Sequence, residues 1–359
     1  MGMARCIFNR LAVRTIPAGF RGIVLWPVLA VLFAGCSLDD DRDLCCPGPL
    51  TMHYTYRPFG AEAFGGNIFS LRHFLFGSDG RFIGELPPGE DLRRQPLDLP
   101  EGIFTIVTIG NMSERSLHEH GSDPLLSMLS LSHTAPYTPG PGNAGGSEDD
   151  DQTDGGETTR ETPAFLDNAD ELFWGVRRFA VDAGGRGIEL PPERSAGAVN
   201  RLLTRMSNIH CHLSVTVEWA NRPPYTGRYT MELDGVNSRY SLDPSSGRET
   251  SDGFAVPEGS VPSVHRLDVP LRQLSLRAEF VTLRLSDTAM PVLRILYGRE
   301  RVLPDTDLAR AFRSWGWHPS ATHVQEYRIM LRVINENRVD VMPLVEGSVA
   351  DWVNGGSFG

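Results

Sequence analysis

Not one of the 34 basic residues in this 359-residue chain is a lysine; all are arginine. The absence excludes a Schiff-base lysine, a phosphate-loop lysine and any Lys–Asn isopeptide crosslink. An arginine-only basic set reflects a GC-rich coding sequence rather than a function. Cysteine is scarce too, five in all, and no CxxC pair is present to hold zinc. Adjacent Cys45 and Cys46 cannot easily bridge each other, so one of them could reach Cys211, although nothing in the spacing demands it. There is no GxSxG elbow, no HExxH and no GxGxxG in a strand-turn-helix setting. The scattered Asp and Glu residues single out no glycosidase pair. The expectation is therefore a protein that is not an enzyme and needs no cofactor. A net charge of −11 argues against nucleic acid, which wants a clustered basic face.

Long apolar runs are missing as well. Near the N-terminus the run Ile23–Phe33 reaches only 11 residues, well short of the roughly 20 that span a bilayer. Arg5, Arg10, Arg14 and Arg21 surround or precede it with no acidic residue, and Ala34-Gly35-Cys36 follows. A basic region, a short apolar core and small residues at a cleavage site are the parts of a secretory signal. Leu32 to Cys36 (LFAGC) resembles the bacterial lipobox, with Phe33 where leucine is preferred. That processing needs a thiol at the cut, because the sulfur takes the lipid before the peptidase acts. The chain is thus expected to be cleaved between Gly35 and Cys36 and to carry palmitate-type acyl chains on Cys36. Two or three acyl chains hold a protein at a membrane far more firmly than one. The acidic stretch from Ser37 to Asp43 resembles the surface-export signal of Bacteroidetes lipoproteins; it also suits a solvated spacer. The export-signal resemblance implies a lipid-anchored, surface-exposed protein at the cell outer membrane, which is the expectation here.

Roughly 320 residues remain after cleavage, enough for two domains of ordinary size. Their patterning is short apolar alternation broken by Gly, Pro, Asn and Asp. Leu50, Met52, Tyr54 and Tyr56 share one face of a strand. Ile68 to Phe76 and Arg81 to Leu86 read as a hairpin about Gly77-Ser78-Asp79-Gly80. Leu97 to Leu99, Ile103 to Ile109 and Leu172 to Val181 are further strands. A second series covers Asn208 to Trp219, Arg228 to Leu233, Val264 to Val269, Leu274 to Leu285, Val292 to Tyr297, Tyr327 to Ile334 and Val339 to Val345. Asp305 to Ser314 is the one convincing helix, capped by Asp305 or Thr306, with Leu308, Ala311 and Phe312 on one face. Many short strands with frequent turns imply an all-β protein of two Greek-key β-sandwich domains in tandem, with a short helix in the second. The expected division is a signal at 1–35, an acidic tether at 36–46 and an N-terminal domain at 47–190. A flexible acidic insertion at about 130–163, a linker at 191–200 and a C-terminal domain at 201–359 complete it.

Two patterns invite a metal reading and do not sustain it. Asp150, Gln152 and Asp154 with Glu161 are a loose echo of a calcium loop, but flanking helices are not evident. His210-Cys211-His212 places both histidines on one face of a strand with Ser214 and Thr216, and Cys211 with Leu213, Val215 and Val217 on the other. That predicts a polar outward face and a core cysteine, with no further ligand close by in sequence. No metal site is expected. Trp174, Trp219, Trp315, Trp317 and Trp352 read mostly as core, while the loop Trp315-Gly316-Trp317 to His318 could present a contact surface.

The order of features from Cys36 to Trp352 resembles the FimB-type fimbrial anchor subunits of Bacteroidia, relatives of the type V pilins. The resemblance rests on the lipobox and tether, on Leu44-Cys45-Cys46-Pro47 leading into the first strand, and on Phe74 to Arg81 (FLFGSDGR). Leu99 to Asn111 (LPEGIFTIVTIGN), Leu172 to Gly175 (LFWG) and Leu203-Thr204-Arg205 complete the ordered set. It implies transthyretin-like sandwiches and a non-enzymatic subunit that roots, caps or joins a pilus at the outer membrane. Partners would be major and accessory fimbrial subunits, engaged by β-strand addition, together with outer-membrane lipid. In the pilin branch a protease cuts after an arginine; Arg194, Arg201 and Arg205 are the formal candidates here, and an anchor would spare them. A surface adhesin that binds glycan or host protein is the alternative.

Overall fold

The computed structural model describes residues 49–119, 125–126, 129–139, 165–190, 199–242, 260, 262–287, 291–335 and 338–344. Gly35, Cys36, Cys45, Cys46, the 140–163 part of the acidic insertion with Asp150 to Glu161, Arg194 and Trp352 lie outside the described residues. No described helix is long and apolar enough to cross a membrane.

In chain order the first strands are β1 (Thr51–Thr55), β2 (Leu71–Phe76), β3 (Phe82–Leu86), β4 (Arg94–Pro96), β5 (Gly102–Gly110), β6 (Ser116–Glu119) and β7 (Ser130–His133). Next come β8 (Phe165–Leu166), β9 (Phe173–Val181), β10 (Gly187–Glu189), β11 (Arg201–Arg205), β12 (Ser207–Asn208), β13 (His210–Trp219), β14 (Arg228–Asn237) and β15 (Arg239–Ser241). The last are β16 (Pro262–Pro270), β17 (Ser275–Leu283), β18 (Val292–Tyr297), β19 (Glu300–Arg301), β20 (Thr306–Asp307), β21 (Gln325–Asn335) and β22 (Arg338–Pro343). Two short helices, α1 (Phe64–Asn67) and α2 (Leu308–Ser314), complete the elements used below.

The chain is all-β and built from packed sheets. A three-stranded sheet, β11-β1-β4, covers one face of a larger sheet ordered β10-β9-β5-β2-β3. Met52, Tyr54, Ile106, Phe179 and Leu202 fill the space between them. The other face of the larger sheet is covered too: Phe74, Val107, Ile109 and Trp174 meet Leu129, Leu131, Tyr240 and Ile209. A sheet buried on both faces takes apolar residues on both sides of its strands. Accordingly β5 buries Phe104 and Ile106 as well as Val107 and Ile109, with Thr105 and Thr108 the buried polar exceptions. The β2–β3 turn is the expected hairpin: Gly77 N–H donates to the Arg81 carbonyl at 2.8 Å, and Gly80 takes φ of +76°, where a side chain would be strained.

The second half pairs the sheet β17-β13-β21-β22 with the sheet β19-β18-β14-β16-β8. Val215, Val217, Tyr229, Met231, Phe280, Ile329 and Phe312 are its core. Here the expected alternation holds: β21 runs buried-exposed from Gln325 to Leu331, the inward set being Tyr327, Ile329 and Leu331.

Three local expectations need correction. Residues 130–133 of the supposed insertion are strand β7, paired with β6 and with β15 of the second half. Leu129 and Leu131 are buried, so the period-two pattern there outweighs its polar surroundings. The short strand near Leu97 is Arg94–Pro96, with Leu97 held by its N–H to the Leu50 carbonyl. The cap of α2 is Asp307, which accepts from Arg310 N–H at 3.0 Å. Asp305 instead binds Arg294 and Arg301, and Thr306 belongs to β20. Asp307→Ala should cost about 1 kcal/mol, read as a lowered midpoint in thermal unfolding; an unchanged midpoint would contradict the assignment.

Candidate functional site

The first strand after the expected lipid attachment is β1, and it is held on both sides. It pairs in parallel with β11, Thr51 opposite Arg201 through Thr55 opposite Arg205, and antiparallel with β4. Thr51 N–H donates to Asn200, Leu97 N–H to Leu50 and Met206 N–H to Thr55, so the ends are tied as well as the middle. Leu50, Met52, Tyr54 and Tyr56 are each 5 % exposed or less. Pulling this strand lengthwise requires the ladders on both edges to fail together, because the bonds lie across the direction of pull.

A polar trio fixes β1 against the larger sheet. Tyr54 Oη lies 3.1 Å from His73 Nδ1 on β2, and Thr108 Oγ1 on β5 lies 3.2 Å from both. Thr108 donating to Tyr54 and Tyr54 donating to His73 Nδ1 satisfies the set, with the ring neutral and its proton on Nε2. Burial holds the His73 pKa down to about 4, opposed by the nearby Glu85 carboxylate.

Arg201 and Arg205 sit in β11, with exposed side chains and a backbone paired to β1. Leu202 and Thr204 between them are buried. β9 passes so close beneath that a Cβ on Gly175 would lie 2.8 Å from Met206 Sδ and 2.9 Å from Thr204 Cγ2. The glycine of the LFWG segment is thus required by close approach.

A second feature is the segment Asp167 to Leu172, which lies where the halves meet. Asp170 accepts from Ser113 N–H, Ser113 Oγ and Ser116 Oγ, and Asn111 Nδ2 donates to the Glu171 carbonyl. On its other side, Ala169 N–H donates to Val281, Asn168 Nδ2 donates to Glu279 and Val281 N–H donates to Asn168 Oδ1. Beside this segment stands the start of β13. Cys211 points into the core as expected, a free thiol with no exposure whose pKa burial pushes up. His210 does not point outward. It is 3 % exposed, lies against the Phe173 ring at 5.2 Å and hydrogen-bonds the Leu172 carbonyl at 2.9 Å. Alternation correctly assigns the face but cannot say that the first half roofs it.

Sequence reasoning also missed Glu171, which comes from a distant element to meet His212, Oε1 to Nε2 at 3.3 Å. Buried Arg284 was missed too; its guanidinium donates to the Asn208, His323 and Thr322 carbonyls. Trp315 and Trp317 are half-buried, packed with Phe312 and Tyr327 against the second core.

The model for "Fimbrillin-A associated anchor proteins Mfa1 and Mfa2" matches residues 42–354. Among solved structures, a proposed adhesin from Bacteroides ovatus is 14 % identical with a TM-score of 0.55, covering 82 % of this chain and 93 % of that one. A proposed polysaccharide-binding protein from Bacteroides thetaiotaomicron is 12 % identical with a TM-score of 0.53, covering 83 % and 98 %. The fimbrial anchor protein Mfa2 from Porphyromonas gingivalis is 15 % identical with a TM-score of 0.46, covering 80 % and 91 %. A search of curated protein sequences finds no match. At these identities the first two likenesses speak for the fold, and they agree with the all-β sandwich. The family rests on the model match, which spans the motifs from Leu44 to Arg205 and begins after Cys36: this chain belongs to the fimbrillin-A associated anchor proteins.

Proposed function

We propose that this chain is a non-enzymatic, lipid-anchored fimbrial subunit that roots or joins a pilus at the outer membrane through Cys36. The observation that carries the reading is the placement of β1. The strand that continues the tether is the middle strand of its sheet, with its apolar face buried in the first core. A subunit that must bear load between lipid and filament needs its tether-proximal strand fixed in this way. A subunit that gives up its first strand to open a groove needs the opposite. The placement of Arg201 and Arg205 in the β11–β1 ladder supports the same reading, since cleavage there requires local unpairing.

Partner subunits would be engaged by strand addition at a sheet edge, where unpaired N–H and C=O groups are available. Strands β3 and β22 end their sheets, and Ile83 on β3 is 55 % exposed. Family membership supports fimbrial partners. Extraction in mild detergent from fimbriated cells should co-purify fimbrial subunits with the chain; their absence would contradict the proposal.

The alternative is an adhesin that binds glycan or host protein through Trp315 to His318. The half-buried tryptophans leave only part of each ring to stack on a ligand. Glycan-array binding abolished by Trp315→Ala would favour this alternative, and none is expected.

A further inference from the structure

The junction segment holds a second cluster of side chains, apart from the β1 site. Glu171, His210 and His212 each place one ligand atom so that all three lie within 4.8 Å of one another. Glu171 belongs to the segment that precedes β9, whereas both histidines begin β13. Their meeting is built by the tertiary fold, not by sequence proximity.

We propose that these three residues bind a zinc-class divalent cation that ties the two halves together. Four features of the geometry support it. The His212 Nε2 to Glu171 Oε1 distance is 3.3 Å. That is about the edge of a tetrahedron whose ligands sit roughly 2.0–2.1 Å from a zinc ion. The His210 Nδ1 contact is with the Leu172 carbonyl, which can only accept, so Nδ1 carries the ring proton and Nε2 keeps its lone pair. A backbone carbonyl holding the far ring nitrogen is the arrangement that orients metal-bound histidines. The Nε2 lone pair now meets the Asn208 amide at 3.1 Å, and the cation would take it in place of that amide.

Glu171 is held in place by its own backbone and its neighbours: its carbonyl accepts from Asn111, Asp170 is bound by Ser113 and Ser116, and Asn168 is locked onto β17. The side chains of Glu171 and His212 are 50 % and 34 % exposed, so small rotations can bring them in without disturbing the core. Glu326 stands opposite His212 across the β13–β21 pairing and adds a carboxylate to the same face. Two imidazoles with a carboxylate suit zinc-class ions; calcium and magnesium prefer oxygen ligands throughout.

The test uses the metal-stripped full chain in detergent, titrated with Zn²⁺ alone by calorimetry and followed in parallel by thermal unfolding. The variants are His212→Gln and Glu171→Gln, both at solvent-facing positions, with His318→Gln as a control at an exposed site elsewhere. One equivalent of Zn²⁺ should bind the wild type and the control. Affinity should fall at least tenfold in each of the other variants. The zinc-induced rise in unfolding temperature should be lost in them, while their metal-free unfolding temperatures match the wild type. Replacing Zn²⁺ by Co²⁺ should give visible absorption in the wild type and the control, and not in His212→Gln or Glu171→Gln. Absence of stoichiometric binding, or binding equally strong in His212→Gln and Glu171→Gln, would overturn the proposal.

Discussion

Met52→Ala is expected to lower the free energy of unfolding by about 2–5 kcal/mol. Met52 has no exposed surface and is the second residue of β1, facing the core between the two sheets of the first half. Truncation removes its side chain from a site where both neighbouring strands are pinned by ladder bonds, so the space left behind cannot collapse easily. Domain stabilities are commonly about 5–15 kcal/mol, so such a loss is a large share of the whole. Chemical denaturation measures it. The matched control is Phe59→Ala, since Phe59 is 74 % exposed and a surface change should stay within about 0.5 kcal/mol. Equal effects from the two substitutions would mean that β1 is not the structural member described here.

Acidification is expected to destabilise the protein between pH 6.5 and 4, with His73 carrying about 3 kcal/mol of the loss. The sign follows from the direction of the shift. In the fold the ring stays neutral down to about pH 4, because burial among Tyr54 and Thr108 penalises the charged form more than the Glu85 carboxylate favours it. The unfolded chain takes up that proton near pH 6.5. Between the two values the unfolded state binds more protons, so stability is full above pH 6.5 and falls as the pH drops towards 4. Protonation would also remove the acceptor for the Tyr54 hydroxyl and loosen the tie between β1 and β2. Unfolding free energies measured across this range for the wild type and His73→Gln isolate the effect, because glutamine stays neutral. The difference between them should shrink as the pH falls; a constant difference would remove His73 from the account.

Much of the fold can be read from residue order because a half-buried strand writes its orientation into every second residue. β1, β18 and β21 are of this kind, and β9 runs within one residue of its expected span. What cannot be read is the partner. Thr51 pairs with Arg201 across 150 positions, and Leu131 of β7 pairs with Tyr240 of β15 across 109, with no local signal for either contact. The same limit explains His210. Its face on β13 follows from alternation, but the roof over that face comes from Leu172 and Phe173, folded in from the other half. It also explains Glu171, which offers no metal-ligand spacing in sequence and meets His212 only through the junction segment. The cap of α2 slipped to Asp307 because β20 carries the strand pairing through Thr306 to Asp307, a choice made by contact with β18. The proposed lipid site at Cys36 rests on sequence, namely the basic residues, the Ile23–Phe33 run and Leu32 to Cys36, and lies outside the described residues.

If the protein and its filaments are anchored through Cys36, Cys36→Ser in fimbriated cells should release them. The measurement is where the protein and the filaments are found after separating cells from medium. Both are expected to pass from the cell fraction into the medium. Filaments that remain on the cells of this variant would contradict the anchoring role.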